Sequence, residues 1–137
     1  MNQDEGVWPE ALDYDPRAKI LRVRFEGGVT YDLSAEYLRV ESPSAEVQGH
    51  NPSQKQIVAG KQNVGIRKIE PVGNYAVRLA FDDRHDTGIY SWRYLHELGR
   101  EQQERWPAYL ASLAAKGLTR TGTIAGPQGP PGPDKDG

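Results

Sequence analysis

A chain of 137 residues with 36% hydrophobic content and a net charge of −2 has room for one folded domain plus polar tails. That charge gives no long-range pull towards nucleic acid or an acidic membrane, and no basic run interleaved with aromatics occurs. Zero cysteines exclude disulfides, thiolate nucleophiles and cysteine-ligated metal or iron–sulfur centres. The opening MNQDEGVWPE is too acidic for a signal peptide, and no run reaches the ~18 apolar residues of a spanning helix. A cytoplasmic protein is the expectation.

Residues 1–15 carry Trp8, Pro9, Leu12 and Tyr14 among acids and read as a lead-in, flexible over 1–11. Alternation starts at Lys19, with Ile20, Arg22 and Arg24 on one face and Leu21, Val23 and Phe25 on the other. Gly27-Gly28 then turns the chain into Val29–Leu33, which predicts a hairpin. Ser34 caps a short helix over 35–40, which ends before Pro43 because a proline pushes its predecessor out of the α region. Residues 44–63 read as a long loop with one short extended piece, and loops of that length are usually functional or mobile.

Val64–Ile69 reads as a strand with Val64, Ile66 and Ile69 facing in, and Gly73-Asn74 as the turn after it. Tyr75–Phe81 and Gly88–Tyr90 continue an antiparallel meander around the charged turn Asp82–Asp86. Ser91 starts a helix carrying Trp92, Leu95 and Leu98. A second helix lies within 101–118, with Trp106, Leu110 and Leu113 on one face, a restart near Pro107 and Gly117 past its end. Residues 119–137 close in GPQGPPGPDKDG, whose glycine triplets are too few for a collagen helix and predict a disordered tail. The fold class is α+β: a small antiparallel sheet domain with short helices and a C-terminal helix.

Chemistry concentrates at the charged turn. His85 could join His50 and Asp83 or Asp86 around zinc or iron, although no histidine stands two residues before an acid. The other role for His85 is to cap the turn or hydrogen-bond buried backbone. Ser42 and Ser44 have no Gly-x-Ser-x-Gly elbow around them, and no glycine cluster reads as a phosphate loop, so an enzyme is not expected. Arg84 and the Arg22/Arg24 face could meet an acidic partner, or be no more than a solvated strand face.

The run LRVRFEGGVTYDLSAEYLRVESPSAEVQGH, with VGIRKIEPVGNYAVRLAFDDRHDTGIYSWRYLHELG, closely resembles the gamma-butyrobetaine hydroxylase-like N-terminal domain family over roughly residues 12–100. Its most specific pieces are Tyr37-Leu38-Arg39 before Ser42-Pro43-Ser44, and His85 followed by Gly88-Ile89-Tyr90-Ser91-Trp92. The resemblance implies a small α+β domain with antiparallel sheets, known as a bacterial domain of unknown function. In carnitine-pathway dioxygenases such a domain precedes a catalytic jelly roll, helps dimerisation and binds zinc through a Cys-Pro-Cys-x-x-Cys segment plus a later histidine. Carried over, the cysteine positions fall on Ser42, Ser44 and Val47, and the histidine position on His85. Hydroxyls are poor substitutes for thiolates on zinc, so no cofactor is expected. Nothing after residue 100 reads as a jelly roll, so 2-oxoglutarate chemistry is not carried over.

Related domains are attached to P-loop iron–sulfur carrier ATPases, which implies an accessory role by analogy. Two functional expectations follow. The first is a non-catalytic module that binds a protein partner through Arg84, Asp86 and His50 and is linked to iron–sulfur carrier or oxygenase systems. The alternative is a metal-binding domain centred on His85. By analogy with the family the chain could also be a homodimer, with Trp92, Trp106 and Tyr109 at its interface.

Overall fold

The computed structural model describes residues 7–49 and 51–122. Strands β1 (Pro9–Asp15), β2 (Ile20–Phe25) and β3 (Thr30–Ser34) form one antiparallel sheet in the order β1-β2-β3. Strands β4 (Ile66–Val72), β5 (Ala76–Phe81) and β6 (Gly88–Ser91) form a second, in the order β4-β5-β6. Between the sheets lie α1 (Ala35–Val40), α2 (Ala45–Gln48) and a 3-10 turn at Pro52–Gln54; α3 (Trp92–Arg100) and α4 (Gln102–Ala115) follow β6. The α+β class, with a hairpin and a meander, is as expected, and β1 widens the hairpin into a three-stranded sheet.

In the first sheet alternation decides the faces. Leu21, Val23 and Phe25 are buried while Arg22 and Arg24 are exposed. The hairpin turn holds Gly27 and Gly28 at φ +92° and +93°, a region that side chains rarely adopt. On the solvent face Asp32 takes both Arg22 Nε (2.8 Å) and Nη2 (3.1 Å), and Arg24 meets Glu10 at 3.3 Å. This arginine face is neutralised within its own sheet.

The lead-in expected over residues 1–15 is corrected from Pro9 onward. Those residues pair with β2, in register from Ala11↔Arg24 to Asp15↔Ile20. Leu12 and Tyr14 pack on the core, and Tyr14 Oη accepts the Ile66 N–H (2.9 Å), tying the two sheets together.

One core joins both sheets, α1 and α3. Its largest fully buried side chains include Tyr37, Tyr90, Phe25 and Phe81. Each buried phenol finds a carbonyl: Tyr37 Oη donates to Leu98 O (2.7 Å) and Tyr90 Oη to Leu38 O (2.5 Å). A smaller cluster of Val40, Tyr109 and Leu113 fastens α4 over Ile57–Ala59.

Ser34 and Ser91 cap α1 and α3 as expected, each hydroxyl accepting a backbone N–H (Tyr37 and Tyr94, 3.0 Å). Three other expectations change. Residues 44–63 contain α2 and the 3-10 turn in place of an extended piece. The last helix begins at Gln102, so Pro107 lies inside it and not near its start. Its inner face is Tyr109 and Leu113, while Leu110 is exposed. At its end Leu118 N–H bonds Leu113 O (2.9 Å) and Gly117 N–H bonds Ala114 O (3.1 Å), the glycine stop expected there. The tail beyond residue 122 lies outside the described residues.

Candidate functional site

The site is built where the C-terminal end of α1 meets the turn between β5 and β6. Helix α1 stops at Val40 and delivers Arg39 on its last turn. Ser42 and Ser44 follow on either side of Pro43, and Ser44 Oγ caps α2 by accepting the Glu46 N–H (3.1 Å). Glu46 is thereby fixed in the first turn of α2. On the opposite strand pair, Phe81 N–H bonds His85 O (2.9 Å) and Arg84 N–H bonds Phe81 O (3.2 Å). Asp83 Oδ1 closes the turn by accepting the His85 N–H (3.1 Å). Arg84 sits at φ +75° and points its charge to solvent.

The two halves meet through side chains. His85 Nδ1 lies 3.0 Å from Glu46 Oε1, and His85 Nε2 lies 2.9 Å from Ser42 Oγ. A carboxylate can only accept, so a neutral His85 donates from Nδ1 to Glu46 and accepts the Ser42 hydroxyl proton at Nε2. Burial, reinforced by the nearby Arg39 charge, holds the imidazole below its ordinary pKa, and Glu46 offsets only part of this. The neutral form satisfies both hydrogen bonds and is the one that burial favours.

Glu46, His85 and Ser42 thus have the connectivity of a serine–histidine–acid relay, but Ser42 is 0% exposed and His85 5%. Ser42 Oγ also accepts the Ser44 N–H (3.2 Å). A Cβ built on Gly88 would lie 2.7 Å from Ser42 Oγ and 3.0 Å from the Tyr90 ring. No reacting carbonyl fits beside a hydroxyl covered this closely.

A second layer is ionic. Asp83 receives Arg39 Nε (2.9 Å) and Lys61 Nζ (2.6 Å). Burial alone would raise Asp83, but the Lys61 ammonium, the His85 N–H and the Arg39 guanidinium together hold it down to about 2. Arg39 Nη1 is buried without a hydrogen-bond partner. Ser44 Oγ bonds Thr87 Oγ1 (2.7 Å), and Gln48 Nε2 donates to Ser42 O (2.7 Å).

Of the residues singled out by sequence, Ser42, Ser44 and His85 come together, with Val47 buried on α2 beside them. Asp86 sits apart from His85's ring and meets Arg78 through its carbonyl (3.0 Å). His50 lies outside the described residues. His96 belongs to the core side, edge-on to Phe25 and Tyr31. Tyr109 is 8% exposed and packs with Trp106 inside the chain, so it is not free to face a second copy. Sequence reasoning missed Glu46, Arg39 and Lys61. The signal for Glu46 was an acid two residues after a helix cap.

Zinc can be tested against this donor set. Two hydroxyls engaged by protein partners, an isopropyl group and one imidazole do not make a tetrahedral zinc shell. Among the described residues no group of three or more His, Cys, Asp or Glu is placed to hold a metal. The residues do not fit the ion.

Fold and cluster together define a small α+β domain in which hydrogen bonds close off Ser42, Ser44 and His85 beside the buried Val47. The chain belongs to the gamma-butyrobetaine hydroxylase-like N-terminal family, whose model matches residues 12–96. It is similar to two proteins solved by solution NMR, each 44% identical. One covers 87% of this chain and 95% of its own at TM-score 0.73; the other covers 88% and 89% at 0.75. It is also similar to a crystallised protein of unknown function of the DUF971 family from Acidithiobacillus ferrooxidans. That protein is 37% identical, with 71% of this chain and 98% of that chain covered, at TM-score 0.60. No curated protein matches the chain. No helix among the described residues is long and apolar enough to cross a membrane.

Proposed function

We propose that the chain is a non-catalytic accessory domain that recognises a protein partner and holds no metal. The observation that carries this is the closed Glu46–His85–Ser42 relay: its geometry is that of an active site, but its hydroxyl is wholly buried. Chemistry needs access, and a structural lock does not. The lock braces the turn that lifts Arg84 into solvent, in a backbone conformation that costs ~1 kcal/mol or more for a residue other than glycine. Asp86, with its side chain 47% exposed, lies on the same turn. These residues form the recognition face, and family analogy points to iron–sulfur carrier or oxygenase systems as the setting.

Affinity purification from the native host, with Arg84→Ala as the matched control, tests the reading. A partner recovered reproducibly with the wild-type chain and lost with the variant is expected. Recovery that ignores the substitution, or no reproducible partner at all, counts against it.

A further inference from the structure

At the N-terminal end of α1, an open cleft of about 660 Å³ lies between the β1–β2 turn, residues 62–64 and the start of α4. That volume falls in the range of small-molecule sites. The cleft is lined by three cations, Arg17, Lys19 and Arg120, against one carboxylate, Glu36. Glu36 is already neutralised, because Arg120 donates to both its oxygens (2.9 and 2.6 Å). Arg17 and Lys19 form no ion pair with a described residue, so neither cation has a carboxylate in contact. Asp15, the nearest acid in the turn, spends Oδ1 on the Arg17 and Ala18 N–H groups.

Lys19 adds a second, independent observation. It holds φ +58°, where glycine or asparagine would be more comfortable, and its ammonium reaches only a neutral acceptor, Asn63 O at 2.5 Å. The tight turn, closed by the Lys19 N–H on Asp15 O (2.7 Å), sets this cation at the cleft wall. Gln62, Asn63, Gln102 and Trp106 line the cleft around it. Cations with amide donors in a concave site suit oxyanions.

We infer that this cleft binds a small polyanionic molecule, a phosphoryl compound or a polycarboxylate, through Arg17 and Lys19. The inference does not depend on the partner-binding reading, since no residue of the His85 turn lines the cleft.

Two-dimensional ¹H–¹⁵N NMR of the full chain, titrated separately with pyrophosphate and with citrate, tests it. Saturable shifts of the Gln62, Asn63 and Gln102 side-chain amides and of the Trp106 indole are expected with at least one anion. The anion that acts identifies the source, phosphoryl or carboxylate. Combining Arg17→Gln with Lys19→Gly, a change the φ of residue 19 favours, should weaken binding about tenfold or more. Lys68→Gln, an exposed cation that does not line the cleft, should leave it unchanged. No saturable shift with either anion, or equal binding by the double variant, overturns the inference.

Discussion

The two ends of α1 carry similar residue types and use them in opposite ways. Beyond its C-terminal end, Arg39, Ser42, Glu46, Asp83 and His85 are neighbours, and nearly every polar atom there is matched inside the protein. At its N-terminal end, Arg17 and Lys19 stand over an open cleft whose one lining carboxylate, Glu36, is held by Arg120. The first cluster drew attention in the sequence because it holds a histidine among acids. The second did not, because Arg17 and Lys19 are common surface residues and the rest of the cleft, Arg120 included, comes from far along the chain. Chemical richness marks a site less well than unmet charge with access does.

The largest effect that could break this comparison is expected from His85→Ala. Removing a buried ring that serves both Ser42 and Glu46 leaves a cavity and an unpaired hydroxyl, so a loss of about 3 kcal/mol in chemical denaturation is expected. Gly88→Ala comes next, at about 2 kcal/mol, because the added methyl meets Ser42 Oγ and the Tyr90 ring. In a Ser42→Ala background the same change should cost less, and a double-mutant cycle reads the difference. Equal costs in both backgrounds would mean that the turn is not pressed against Ser42.

A smaller effect should be seen in pH dependence. His85 is held below its ordinary 6.5, so as pH falls through that value the unfolded chain takes up a proton before the folded one does. Stability should therefore decline as pH drops below about 6.5, and His85→Gln should flatten that slope. Asp83 acts in a separate window: its contribution is complete above its ordinary 3.8 and is lost as pH falls through about 2. The smallest effect belongs to the cleft. Arg17→Gln should leave the melting temperature unchanged, because that side chain supports nothing in the fold.

Local features were legible from the residues. The Gly27-Gly28 hairpin, the Ser34 and Ser91 caps and the Gly117 stop are each decided by a few neighbouring positions. Strand β1 was missed because its acids suggested a tail, although Leu12 and Tyr14 alternate with Asp13 and Asp15 as a half-buried strand requires. Tyr109 was displaced by Leu110 in the expected helix face because Pro107 obscured where the helix began. The site was half legible. Family likeness brought Ser42, Ser44, Val47 and His85 together, whereas Glu46 and Lys61 reach the turn only through tertiary packing of a loop with no periodicity. The grouping of the strands was legible as a hairpin and a separate meander, and what was missed is that β1 widens the hairpin into a three-stranded sheet.

The central claim is that hydrogen bonds hold the His85 cluster in place of a metal. Elemental analysis of protein purified without an affinity tag, paired with melting curves in zinc and in chelator, tests it most directly. The account predicts far less than one equivalent of zinc or iron and the same melting temperature in both conditions. Stoichiometric metal that a chelator removes, with a fall in melting temperature that His85→Gln reproduces, would contradict it.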